Sequence, residues 1–200
     1  MIRSRILFGL AASVLALAGF STSASAQIGS GWTSVSETYK VQLSGSGWNS
    51  GSQFGFTKLT DSTDTIKDRA EREYNTWSSG MHQFQGDVTV NSFSGDRVCI
   101  KQTFQPNKGP WNMVGVEHSG TIYEVEGGNS LGSFTVGTSF RVNTVLDATH
   151  GTVQVYINGS LKETKSSGVA PFYDKLGAYR TASGTPAITV TWSNIKFWQK

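Results

Sequence analysis

Beyond its first 26 residues the chain holds no long stretch with a helical period; short runs alternate apolar and polar residues and are cut by clusters of Gly, Ser, Asn and Thr. A period of two puts every second side chain on one face of a strand, so this pattern calls for half-buried β-structure. The clearest case is Thr152 to Thr164, where Val153, Val155 and Ile157 point to one side and Asn158-Gly159 follows. Asn-Gly tolerates positive φ, which a tight two-residue hairpin turn requires. Phe140, Val142, Thr144 and Leu146 form the preceding strand, and Ile188 to Trp192 with Ile195 to Trp198 close the chain in β-branched and aromatic residues. With no internal repeat, linker or second domain, the fold expected is an all-β sandwich or jelly roll.

Composition bounds the setting. Met1 to Ala26 carries Arg3 and Arg5, an apolar run from Ile6 to Ala18, and Ala24-Ser25-Ala26, the pattern of a secretory signal peptide rather than a membrane span. Its removal leaves 15 Lys and Arg against 14 Asp and Glu, a net charge of +1. Such a balance gives no reason to expect nucleic acid or a membrane as partner. About 170 residues remain, enough for one domain with a sizeable core. The lone Cys99 lies in an apolar run and reads as a buried, inert thiol, so stability must come from packing. The expectation is a secreted, monomeric, single domain over residues 27–200.

Few residues point to chemistry. In Tyr173-Asp174-Lys175-Leu176-Gly177-Ala178-Tyr179-Arg180, an extended strand would align Tyr173, Lys175, Gly177 and Tyr179 on one surface, with bare backbone between a cation and a phenol. Asp64 to Tyr74 has Asp68 and Arg72, and Lys67 and Glu71, at i,i+4 spacing, which favours a short charged helix. His118 and His150 sit at turns as solvated side chains, and with His82 and Cys99 they lack metal-ligand spacing, so neither a metal site nor a cofactor is expected. Glu124-Val125-Glu126 would put two carboxylates on one strand face, either as a hydrolase pair or as a solvated face. Trp32, Trp48, Trp77 and Trp111 could stack on sugars or serve as core and rim.

The Tyr173 to Tyr179 stretch, taken with Arg69-Ala70-Glu71 and with Val98 to Phe104, resembles the alginate-lyase-type polysaccharide lyases and their glucuronan-lyase-like relatives. The resemblance runs from Arg69 onward. It implies a concanavalin A-like β-jelly-roll sandwich of two antiparallel sheets with a concave substrate groove. It also implies a strand rather than a helix at Arg69, with Arg69, Glu71 and Glu73 sharing a face.

The activity so implied is cleavage of an acidic, uronate-containing polysaccharide by metal-independent β-elimination. The proton to be removed lies α to a carboxylate and is hardly acidic until that charge is neutralised; a base then takes it, and an acid protonates the departing glycosidic oxygen. The resemblance places Tyr179 at the catalytic tyrosine, Gln102 at the neutralising glutamine, Arg69 and Glu71 at the first two charged positions of the strand, and Lys175 as an assisting cation. Tyr173 and Arg180 flank them as substrate contacts. A phenol with a pKa near 10 needs a nearby cation to act as base, and Lys175 or Arg180 would supply it. Two positions depart from the pattern: Phe104 stands where a histidine is usual and Glu73 where a second arginine is usual, which weakens the case for alginate itself. His82 either replaces the missing imidazole from a neighbouring strand or shares parity with Phe84 and faces the core. Two other readings stay open, a carbohydrate-binding protein that does no chemistry and a glycoside hydrolase.

Overall fold

The computed structural model describes residues 27–57, 68–181 and 187–200. The signal-peptide segment and the Asp64 to Lys67 part of the helical reading lie outside the described residues. Strands account for all the regular structure described, and they form two antiparallel sheets. Across the first sheet run β13 (Ser160–Ser166), β12 (Thr152–Ile157), β11 (Ser139–Asp147), β6 (Met81–Phe93), β15 (Ile188–Gln199), β4 (Gln53–Phe56) and β3 (Trp48–Ser50), with β1 (Thr33–Val35) also pairing β15. The second sheet runs β10 (Ser130–Ser133), β9 (Thr121–Glu124), β8 (Gly109–Glu117), β7 (Arg97–Gln105), β14 (Tyr173–Tyr179), β5 (Arg69–Tyr74) and β2 (Tyr39–Ser44). Sequence neighbours such as β5 and β6 fall in different sheets, so the order is that of a jelly roll rather than a meander.

The expected hairpin is present, with Asn158 and Gly159 at φ of 51° and 79°, both positive as a twist-matched two-residue turn requires. The two closing runs are one strand, broken in register between Ser193 and Lys196, where Asn194 takes φ of 51°. At Arg69 the helix-like charge spacing loses to pairing on both sides, with β14 and with β2. Propensity is a weak prior when two neighbouring strands can satisfy every backbone group.

Between the sheets the inward residues of both interlock: Phe84, Val88, Trp192 and Phe197 from the first, Ala70, Val114, Leu176 and Ala178 from the second. Each large apolar side chain so buried contributes about 1.5–3 kcal/mol. Because side chains alternate, burying Leu176 and Ala178 turns Lys175, Gly177 and Tyr179 to the outer side of the same sheet.

Candidate functional site

Register assembles the outer face of the second sheet. Lys175 lies between Gln102 on β7 and Glu73 on β5, Gly177 beside Glu71, and Tyr179 beside Arg69. A Cβ on Gly177 would sit 2.1 Å from the Ala70 carbonyl oxygen, and the residue has φ of 142°, so this close approach of β14 to β5 admits only glycine. The approach brings Tyr179 beside Arg69, whose guanidinium carbon is 4.8 Å from the ring centroid.

Glu71 is the hub, fully buried. Its Oε1 accepts the Gln102 amide N–H at 2.6 Å, and its Oε2 lies 3.0 Å from Arg69 Nε in an ion pair without hydrogen-bond alignment. Burial raises the Glu71 pKa despite the opposing Lys175 and Arg69 charges and the Gln102 hydrogen bond. An amide has two N–H donors and a guanidinium five, so both partners keep donors for a second carboxylate. Gln102 is buried while Tyr179 and Arg69 are half-buried, so the phenol and the guanidinium form the layer that a ligand meets first.

Burial raises the pKa of Tyr179, Arg69 opposes the rise, and the phenol stays protonated in the free protein. The cation over the Tyr179 ring is Arg69, rather than the Lys175 expected from the sequence. Lys175 points the other way, donating to Gln42 Oε1 at 2.9 Å and pairing with Glu73 Oε2 at 3.1 Å. Glu73 also pairs with Lys40 at 2.7 Å and accepts from Gln42 at 2.7 Å. Burial pushes the Glu73 pKa up, but the two ammonium groups outweigh it and hold the carboxyl below its usual range. Tyr173 stacks on Phe104 at 5.3 Å, beside the Lys175 ammonium, and burial lifts its phenol to about 12. Arg180 is buried beyond the end of β14, its backbone N–H donating to the Asp68 carbonyl.

His82 is not part of this cluster. It sits on β6 in the other sheet, facing inward between the layers, stacked on Trp77 at 4.5 Å and against Phe197 at 5.6 Å. Its Nδ1 is 3.6 Å from Asp174, on the inner side of β14, so the strand itself separates the imidazole from Gln102 and Tyr179. Parity with Phe84 decides the matter, because β6 buries the face that both share. Trp77 is likewise core, packed with Leu146, Val153 and Phe172. Glu124 ends β9 buried against Lys165 at 2.9 Å while Glu126 is exposed in the turn, so they do not form a carboxylate pair on one strand face. His118 and His150 are exposed at turns. Lys40 and Gln42 were missed by sequence reasoning; their alternation in β2 marks a shared face, but nothing local ties Gln42 to Lys175 across 133 positions.

No protein-family model matches the chain, and no curated protein matches it. Solved structures do. An alginate lyase of polysaccharide lyase family 7 from Zobellia galactanivorans superposes with a TM-score of 0.62 at 17% identity, over 84% of this chain and 95% of that one. The alginate lyase from a Corynebacterium species gives 0.61 at 18%, over 72% and 75%. The alginate lyase AlgAT5, also of family 7, gives 0.53 at 24%, over 70% and 77%. A sialidase matches at 0.58 and 13% identity over 80% of this chain and 16% of its own, so the architecture alone does not name a reaction. What the likeness establishes is the fold: this chain is built on the jelly roll of the alginate-lyase-type polysaccharide lyases.

Proposed function

We propose that the protein is a secreted lyase that cleaves a uronate-containing polysaccharide by β-elimination without a metal. The observation that carries this reading is the convergence of Arg69, Gln102 and Tyr179 on one outer face, donors and phenol side by side. Arg69 and Gln102 would bind the uronate carboxylate and stabilise the charge that spreads onto it as the α proton leaves. Tyr179, with Arg69 over its ring, would take that proton once the phenol has ionised and return it to the glycosidic oxygen as the carbon–oxygen bond breaks. The products are one new reducing end and one unsaturated end, with no water consumed. The sequence of residues 1–26 supports export, with Gln27 as the mature N-terminus.

A second reading is favoured by one contact. The buried Glu71 carboxylate already holds a Gln102 N–H and faces Arg69, which suits a face that binds sugar and does no chemistry. One screen separates the two: purified protein with alginate, glucuronan and related uronates, followed by the ultraviolet absorbance of the new double bond, with and without a chelator. A lyase gives absorbance that survives chelation and collapses in Tyr179→Phe by about 10²–10⁴, the usual worth of a positioned acid–base group. Binding without absorbance in the parent protein sinks the lyase reading and leaves the binding one.

A further inference from the structure

We propose that Lys101 and Asp174 are a positioning pair, buried between the sheets, that fixes Gln102 and β14 from behind the site. Lys101 is 0% exposed, and its ammonium spends all three donors inside the sandwich: on the Gln102 carbonyl at 3.0 Å, Thr103 Oγ1 at 3.1 Å and Asp174 Oδ1 at 2.6 Å. Thr103 Oγ1 also donates to Asp174 Oδ1 at 2.7 Å, His82 stands 3.6 Å from the other carboxylate oxygen, and the Phe84 ring lies 4.7 Å from the ammonium.

Taking two such charges out of water is costly, and a pair of apolar residues of similar volume commonly serves packing as well or better. What an apolar pair cannot do is hold a backbone carbonyl. Lys101 holds the carbonyl of Gln102 itself, the residue whose amide reaches Glu71 from the opposite face. Asp174 sits between Tyr173 and Lys175 and opposite Thr103, so the ion pair ties β7 to β14 behind the Gln102 and Lys175 register pair.

The need for such a tie is local. Lys101, Gln102 and Thr103 pair in unbroken register with Val114 to Asn112 on β8 and with Leu176 to Asp174 on β14, but the run is short: against both strands the register shifts between Cys99 and Lys101, and against β8 it shifts again between Thr103 and Phe104. A run of three residues between two such breaks rests on few ladder bonds, and a one-residue slip would turn the Gln102 side chain into the core. The pair clamps that short run from its inner side.

The activity arm of the test rests on the lyase reading; a second arm does not. In the double variant K101M/D174N no unpaired charge is left and Thr103 keeps an acceptor. The side-chain amide of Gln102, assigned by its loss in Gln102→Asn, is followed by ¹⁵N NMR. Positioning requires its hydrogen exchange to quicken at least about tenfold while far-ultraviolet circular dichroism stays as in the parent. On a uronate polymer that the parent cleaves, kcat falls at least about tenfold with KM changed less than about threefold, the sign of lost transition-state geometry rather than lost binding. Unchanged amide exchange overturns the proposal, as does an unchanged kcat. If the parent cleaves no uronate, the lyase reading has failed and the exchange arm decides alone. If the double variant does not fold, Thr103→Val, which removes the two bonds of Thr103 Oγ1 and leaves the Lys101–Asp174 pair in place, must show the same directions at smaller size, or the proposal falls.

Discussion

Arg69 stands over the face of Tyr179, its guanidinium carbon 4.8 Å from the ring centroid, on adjacent strands in direct register. A cation so placed favours the ring's π-face and, more importantly, the phenolate. It opposes the burial that raises the pKa of Tyr179.

Arg69→Gln should therefore raise the Tyr179 pKa further. Ultraviolet titration of tyrosinate, taken as the difference between Arg69→Gln and Arg69→Gln/Tyr179→Phe, reads that one group. A Tyr179 that ionises more easily without Arg69 would contradict the assignment. Elimination should fall by about 10²-fold or more, since both charge neutralisation and the phenolate lose their cation.

Glu71 gives a pH dependence of opposite sense to the usual surface carboxylate. Its folded pKa is raised above 4.5, so the native state holds the proton more tightly than the unfolded chain does. The stability this contributes is complete below the unfolded pKa and is lost as pH rises through the folded one. Glu71→Gln removes the titration, so the Tm of the variant minus that of the parent should increase from pH 4 toward neutrality. A difference that is flat or declines with pH would show that Glu71 is not held in this way.

Gly177→Ala tests the close approach of β14 to β5. The added Cβ meets the Ala70 carbonyl oxygen at 2.1 Å, backbone that cannot swing aside. Strain on the order of 1–3 kcal/mol follows. In a domain of this size that lowers Tm by roughly 2–12 °C. Elimination should suffer beyond this, because β5 carries Arg69 and Glu71 away from Tyr179 as it yields. A variant with parental Tm and rate would show that the approach is looser than described.

His82→Ala should behave as a core change. It removes the ring stacked on Trp77 and should cost on the order of 3 kcal/mol of stability. The elimination rate should change less than tenfold, under about 1.4 kcal/mol of barrier. An early-melting enzyme that still turns over is the expected outcome; one that folds normally but is inactive would return the imidazole to the site.

Cys99 should resist thiol reagents until the protein unfolds, because burial raises its pKa well above 9.0. Rapid labelling of the native protein would contradict this.

Much of the fold was legible because a period of two survives in single strands: Val153, Val155 and Ile157, the Asn158-Gly159 turn, and the face shared by Tyr173, Lys175 and Tyr179 all rest on local rules. The site was legible only in part. Alternation gives the face of a residue but not its sheet, so His82 could be paired with Gln102 on paper while β14 stands between them. The partner of Tyr179 is hidden for a related reason. Lys175 is near in sequence, whereas Arg69 is near through strand register, and register is set by the whole sheet. The helix-like charges around Arg69 were overridden by pairing with β14 and β2, which no local spacing announces.

Strand β14 is written in two interleaved alphabets. Odd positions from Tyr173 to Tyr179 face outward and even positions from Asp174 to Ala178 face the core, so the candidate chemistry and the core share seven consecutive residues. Deleting or inserting one residue there would exchange the alphabets, sending the phenol inward and the leucine out. Change in this strand must therefore come by substitution within one alphabet at a time. Laboratory evolution of this protein will find length variation in the turns and none between Tyr173 and Tyr179, and new specificity will have to be spelled on the outward positions alone.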